Sequence, residues 1–598
     1  MTRKSGRPRP WLVFGAASLV VLLLYLPTLQ YDFVWDDGTL IVNNPFLSQA
    51  SPFELFTQGF WSNPKVEMSQ SDMTYYRPLS NLSLYVDRQV WGLQPSGYHL
   101  TNVIINTAVA LLTCLLLWEL FGSVWPAGLG GLLVGIHPAM NCVVTFISNR
   151  TYLLALFFIL VSCYVLLRGQ RDHRRFWPVL FGVSLLLGAL ALEASLVFPA
   201  LAAGWLLLNR TRYRRLMSWL AAIVLPLAFY LLLRLGIARV PFASSVTYWL
   251  VAAPLRVINT FGQQLQLLLF PFNQKVIYVK TEPFTGFSVY TILGLLFLSL
   301  PLYPLIRLGR RTGRRGANDA SSGAERKRNP RPRFETDTVG WFGYAWMVLF
   351  LLPFAHLLFL GPSGRMLYLT VPGVLVLVTA LYQSTRPQRA TSRVLYGLLL
   401  LYAAAFSVQT LRRNPIWHSQ LSLSRTMVLE APESAGGHLN YGAALNKAGR
   451  TEEAIEEFRT AVRIDPDFAE SHISLAFALV DRGDLTGAIR EFREVVRLRP
   501  ESPRAHNDLA LTLKHNGQLD AAIVEYRAAL QLEPNSPVTL NNLGFAYLTA
   551  GNFGPAIEAL RTALRLAPDF EAARGNLAEA YRAAGMPDSA ALVEGSEQ

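Results

Sequence analysis

Along its first 410 or so residues the chain alternates long apolar runs with short polar, mostly basic segments; from about residue 435 it changes to a shorter, strictly repeating texture. The clearest apolar runs are 11–29, 102–120, 151–167, 176–192, 216–233, 287–306, 340–360, 366–383 and 394–410. About 20 apolar residues of helix cross a hydrocarbon layer ~30 Å thick, so these runs predict membrane spans. The composition agrees: 52% of residues are hydrophobic and 16% charged, against roughly 25% charged in soluble domains. The expected fold class is all-α, a polytopic membrane helix bundle of about eleven spans followed by a helical solenoid.

Charge orients the bundle. The net charge of +14 could suggest nucleic-acid binding, but the basic residues cluster between apolar runs, which is the positive-inside pattern. Segments 1–10, 168–175, 209–215, 307–333 and 385–393 hold 25 of the 54 Lys and Arg residues and are expected on the cytoplasmic side. No nucleic-acid partner is expected.

Run 11–29 is long for a signal peptide, and no small-residue cleavage site follows it before YDFVWDD; a retained first span is expected. Residues 31–100 then form an external loop, and 137–150 reach the outer face. Segment 250–272 carries Arg256, Asn259, Gln263, Gln264 and Gln266. Such groups are costly in lipid, so an interfacial or re-entrant helix is expected there. The basic segment 307–337, rich in charge, Gly, Ser and Pro through most of its length, reads as a disordered cytoplasmic linker. Cys114, Cys142 and Cys163 lack metal-ligand spacing and imply neither a disulfide framework nor a zinc site.

The C-terminal texture has a 34-residue period. Pro432, Pro466, Pro500, Pro534 and Pro568 mark it, as do Ala454, Ala488, Ala522, Ala556 and Ala590. Small residues recur at Gly442, Ala476, Ala510, Gly544 and Ala578, and large ones at Phe458, Phe492, Tyr526 and Leu560. This is the tetratricopeptide pattern of paired helices. The expected domains are a membrane domain over 1–412, a half-repeat linker over 413–434 and a repeat domain over 435–598. Asn440, Ser474, Asp508, Asn542 and Asn576 hold one equivalent position, where side-chain amides could pair with a peptide backbone; ordinary solvated helix surface explains them equally well. The row resembles the asparagine ladder of the nucleocytoplasmic O-GlcNAc transferase, with Ser474 and Asp508 interrupting it.

The candidate chemistry lies in the membrane half. Asp36 and Asp37 follow the first span directly. A carboxylate at that water edge can act as general base toward a hydroxyl, and its neighbour can orient it or help hold a metal. Arg77, His137, Arg150, Glu193, Arg365 and Tyr368 all map to the same outer face in this topology. Ionisable groups gathered in a lipid-embedded bundle suggest a site, and Arg is the expected partner for phosphate.

The ordered set of motifs is specific. The acidic pair, YRPL, GYHLTN, HP…ISNR, LLFP, the Arg365/Tyr368 spacing, RRNPIW and the repeats follow one another along nearly the whole chain. In this the chain resembles a bacterial relative of the transmembrane-and-tetratricopeptide-repeat O-mannosyltransferases, which belong with the GT-C glycosyltransferases. The resemblance implies a polyprenyl-phosphate-linked sugar as donor, a protein or peptide acceptor recruited by the repeats, and catalytic roles for Asp36 and Asp37. The odd span count places the site and the repeats on the outer side, the periplasm of a bacterial inner-membrane protein, and the Arg412–Trp417 linker, short and not Gly/Ser-rich as a flexible tether would be, is expected to dock the solenoid rigidly. Two positions depart from the family pattern: Cys142 replaces its usual acid and Leu192 its frequent Lys. Two other readings are a membrane-anchored repeat scaffold without catalysis and an oligosaccharide ligase or polymerase. Convergence of the polar residues in one place would argue against the scaffold.

Overall fold

The computed structural model describes residues 9–60, 75–172, 174–209, 211, 213–240, 254–271, 288–299, 334–351, 364–385 and 388–594. The basic segment 307–333, residues 61–74 of the first loop, and residues 300–306 and 352–360 of two expected spans lie outside them. Among the described residues the chain is helical and contains no strand. It divides into two compact units, residues 1–423 and 424–598.

The first unit is built on α1 (Pro10–Tyr25), α2 (Pro78–Trp91), α3 (Pro95–Phe121), α4 (Val124–Ile136), α5 (Asn141–Thr145), α6 (Arg150–Asp172), α7 (Phe176–Ala191), α8 (Phe198–Leu208) and α9 (Tyr213–Leu231). It continues through α10 (Pro254–Leu269), α11 (Val289–Ser299), α12 (Thr336–Leu351), α13 (Gly364–Leu367), α14 (Val371–Thr385) and α15 (Arg389–Arg413). Stretches Pro10–Gln30, Pro95–Phe121, Ile147–Asp172, Arg215–Ile237 and Ala390–Trp417 are long and apolar enough to cross a membrane. Val124–Ile136 and Pro138–Thr145 together make a sixth candidate, bent by 43°. Pro138 supplies the physical reason, since proline cannot continue a helical hydrogen-bond ladder. Phe176–Ala191, Glu193–Leu208 and Val371–Thr385 are shorter apolar helices.

The outward faces are those of a lipid-embedded bundle. Val179, Leu225 and Leu401 stand exposed on α7, α9 and α15, where water would penalise them and acyl chains do not. Inside, polar groups pair: Ser162 and Ser184 hydroxyls meet at 2.7 Å, and Asn106 donates to the Gly135 carbonyl at 3.0 Å. Helices approach through small residues, as is usual in membranes. A Cβ on Gly131 of α4 would stand 2.5 Å from the Ala110 carbonyl oxygen of α3. The segment expected to be re-entrant contains α10, paired with α11 through reciprocal contacts. A Cβ on Gly262 would strike the Tyr290 carbonyl, and one on Gly294 the Ile258 carbonyl.

The second unit is a run of helix pairs. Ala435–Lys447 pairs with Thr451–Ile464, Ala469–Asp481 with Leu485–Leu498, Pro503–His515 with Leu519–Leu532, Pro537–Thr549 with Phe553–Leu566, and Glu571–Ala583 with Pro587–Glu594. The small residue of each first helix is a packing requirement: a Cβ on Gly442 would lie 2.6 Å from the Phe458 ring, and one on Gly544 2.5 Å from Leu560. Gly449, Gly483, Gly517, Gly551 and Gly585 have φ between 74° and 87°, the left-handed geometry that ends a helix most cheaply with glycine.

Candidate functional site

Just past α1 and its 3-10 extension Leu26–Gln30, the chain makes a tight turn. The Asp37 N–H donates to the Val34 carbonyl at 3.0 Å, and the Val34 N–H returns to the Asp37 carboxylate at 3.2 Å. The other Asp37 oxygen accepts from the backbone N–H of Ser148 at 2.9 Å and from the Ser148 hydroxyl. Asp37 is wholly buried, whereas Asp36 is half-buried. Burial pushes the Asp37 carboxyl up to about 7, against the pull of its hydrogen bonds; the Asp36 charge adds to the rise. The two acids therefore occupy different environments: one anchors the loop to the ISNR segment, the other lies at its edge.

Arg150, two residues after Ser148, is buried and fully engaged. Its Nε donates to Asn102 at 2.7 Å, Nη1 donates to the Ser83 hydroxyl at 3.0 Å and pairs with Asp87 at 2.6 Å, and Nη2 donates to the Tyr98 carbonyl at 2.9 Å. It thus ties α2, α3 and α6 beneath the Asp37 turn. A phosphate could reach Arg150 only by displacing these partners.

Arg77 forms a second ion pair. Its Nε meets Glu193 at 2.8 Å, and the guanidinium lies over the Tyr75 ring at 4.5 Å. Glu193 also accepts from the Tyr76 N–H at 2.6 Å and faces Arg234 at 3.6 Å. So Arg77 and Glu193 are brought together, with Arg234 as a third member.

His137 belongs to the bend between α4 and α5. Its Nδ1 accepts from the Ala139 N–H at 3.2 Å, which leaves Nε2 to donate to the Leu268 carbonyl at 2.9 Å. It joins the HP turn to the end of α10. The Tyr368 hydroxyl donates to Asn106 at 3.1 Å, linking the segment after α13 to α3. Arg365 is half-buried, and its buried Nε has no hydrogen-bond partner among the described residues. Arg365 and Arg413 both act electrostatically on Cys142. Among the described residues no group of three or more His, Cys, Asp or Glu side chains could hold a metal ion.

Ser148, Asp87, Asn102, Asn106 and Arg234 were not singled out from the sequence. Ser148 and Asn102 lie in the ISNR and GYHLTN motifs, Asn106 one helical turn past GYHLTN and Asp87 two turns past YRPL, so the signal was there at motif level and not at residue level. In the repeats, Asn440, Ser474, Asp508, Asn542 and Asn576 are all half-buried. Asn542 donates to Asn507 at 3.3 Å and Asn576 to Asn541 at 2.9 Å, each reaching the preceding repeat. Asp508 faces Arg504 at 3.7 Å.

A family model described as a tetratricopeptide repeat matches residues 474–537 and 541–594, and another, described as a TPR repeat, matches 442–481. A protein O-mannosyl-transferase of Caenorhabditis elegans, F38B6.6, is 24% identical over 472 residues, covering 75% of this chain and 63% of that one. Protein O-mannosyl-transferase TMTC2 of Homo sapiens is 32% identical over 176 residues, 29% of this chain and 21% of that one. The Xenopus laevis tmtc2 is 36% identical over 152 residues, 25% and 18% of the two chains. The matches thus span less than two thirds of each relative. The crystal structure of MamA protein aligns over 27% of this chain and 89% of that one, at 24% identity and a TM-score of 0.26. The chain is thus similar to named protein O-mannosyl-transferases, TMTC2 among them, and carries tetratricopeptide repeats of its own.

Proposed function

We propose that the protein is a membrane glycosyltransferase that moves a hexose, mannose first among the candidates, from a polyprenyl-phosphate donor to a hydroxyl of a protein acceptor. The observation that carries this reading is the division of labour in the acidic pair: Asp37 is buried and spent on Ser148, while Asp36 stands half-buried beside it. The relatives' printed names give the reaction class.

In the step itself the acceptor oxygen attacks the sugar C1 and the C1–O bond to phosphate breaks. The leaving polyprenyl phosphate keeps the electron pair, and Asp36 takes the hydroxyl proton as general base. Asp37 acts by holding the turn. Attack opposite the leaving phosphate inverts C1. Arg365, with its unpartnered Nε, is the candidate to meet the donor phosphate, since guanidinium groups suit phosphate geometry. Arg77, Arg150, His137, Glu193 and Tyr368 position the elements around it. The active face and the repeats lie outside the cytoplasm, with eleven crossings in all. The repeats recruit the acceptor and raise its local concentration.

The test is transfer from a panel of polyprenyl-phosphate hexoses, with the full chain and with residues 435–598 deleted. The reading expects transfer from at least one donor, and a deletion that cripples transfer to protein while sparing a small hydroxyl acceptor. No transfer from any donor would overturn the enzyme. Equal loss for both acceptors would overturn the recruiting role.

A further inference from the structure

Trp35, immediately before Asp36, has a φ of 49°. That is the left-handed region, where a bulky side chain is a genuine outlier. Such strain persists only where surrounding contacts over-determine it, and it concentrates at functional sites. The contacts are present. The Trp35 N–H donates to the Gln420 side chain at 2.7 Å, and the Gly38 N–H donates to the Trp35 carbonyl at 3.2 Å.

The strain places the indole at one end of an aromatic row. Trp35 stacks on Phe146 with centroids 6.3 Å apart and planes 23° apart, and Phe146 stacks on Trp417 at 5.4 Å and 18°. Phe146 and Trp417 are buried, whereas Trp35 remains 42% exposed. Three chain segments far apart in sequence thus hold one large aromatic surface open, next to a carboxylate. The turn alone would be served by glycine without the backbone cost.

We propose that Trp35 is the platform on which the hexose ring of the donor rests. A pyranose presents a patch of C–H bonds on one face and hydroxyls around its rim. An aromatic plane takes the C–H patch and leaves the hydroxyl rim facing outward. The inference rests on the transferase reading and names the sugar-contacting residue of its site. The placement also orients the ring relative to Asp36, the next residue along the chain.

The experiment measures binding to the full-length protein in nanodiscs, with polyprenyl-phosphate mannose and bare polyprenyl phosphate as the two probes. Wild type, Trp35→Phe and Trp35→Asn are compared; Asn tolerates a positive φ, so the turn is kept. The expected result is that wild type favours the mannosylated lipid about tenfold, Trp35→Phe keeps most of that preference, and Trp35→Asn abolishes it with bare-lipid affinity unchanged. Equal weakening toward both probes would make Trp35 a membrane-interface anchor and overturn the proposal, as would a preference that survives in Trp35→Asn. Mannose preference that depends on Trp35 without any transfer would sink the transferase and leave the platform standing. Transfer together with a Trp35-independent preference would do the reverse.

Discussion

The Asp37 carboxylate accepts the backbone N–H of Ser148 at 2.9 Å, across 111 positions of sequence. That bond makes the second acid of the pair a structural anchor for the first. It also puts a titratable group in a fully buried place, and this has a measurable consequence.

Burial holds the folded Asp37 carboxyl near 7, against an ordinary value of 3.8. A raised folded pKa means the folded state binds the proton more tightly than the unfolded one. Its contribution to stability is therefore full below about pH 4, declines between about 4 and 7, and is gone above. The slope in that window is at most about 1.4 kcal/mol per pH unit. Thermal unfolding in detergent across this range should show the decline in wild type and lose this component in Asp37→Asn. An unchanged slope in the variant would assign the titration to another group.

Arg150 and Asp87 form an ion pair buried on both sides. Removing one partner leaves an uncompensated charge, at a cost of about 3–5 kcal/mol. Arg150→Met should destabilise the membrane unit by that order. Adding Asp87→Leu should restore much of it. A double variant no more stable than the single one would show that the loss lies in the Asn102, Ser83 and Tyr98 contacts.

In the repeats, His438, His472 and His506 each face two acceptors. Nδ1 meets Glu457, Glu491 or Glu525 at 2.6, 2.8 and 2.7 Å, and Nε2 meets the carbonyl of Pro432, Pro466 or Pro500 at 3.0, 3.0 and 3.1 Å. Side-chain exposure is 10% for Glu491 but 24% and 25% for Glu457 and Glu525. Leaving a less solvated carboxylate oxygen without its partner costs more, roughly 1–3 kcal/mol and above for a charged group, even though Glu491 keeps Arg490 at 3.2 Å on its other oxygen. His472→Ala should therefore destabilise the repeats more than His438→Ala or His506→Ala, as read by denaturant midpoints. The reverse order would contradict the burial argument.

The proposed eleven crossings predict opposite sides for the 168–175 loop and the repeats. Reporter fusions at residues 171 and 590 should report opposite compartments. The same compartment for both would remove the eleven-crossing scheme.

The features legible in the sequence were those imposed at many positions at once. Hydrocarbon demands apolar residues over a whole turn-after-turn face, so the runs on α1, α3, α6, α9 and α15 announce themselves. The 34-residue period is equally redundant, and Gly442 against Phe458 meets the crossing expected of it. Pairings between single polar residues carry no such redundancy. Arg77 and Glu193 were both singled out, yet nothing in their 116-residue separation says that they join. Ser148 and Asp87 look like ordinary polar residues until Asp37 and Arg150 are found on them. The repeat histidines were legible and overlooked: His438, His472 and His506 keep the 34-residue spacing, and so do Glu457, Glu491 and Glu525.

The most direct test of sugar transfer by Asp36 separates donor binding from chemistry. Polyprenyl-phosphate hexose binding and transfer are measured on wild type, Asp36→Asn and Asp37→Asn at neutral pH. Loss of a general base costs about 10²–10⁴-fold in rate, so Asp36→Asn should bind the donor within a few-fold of wild type and lose transfer by that factor. Asp37→Asn, which keeps a side-chain oxygen for Ser148, should retain substantial transfer. Full transfer in Asp36→Asn, with loss confined to Asp37→Asn, would contradict the assignment.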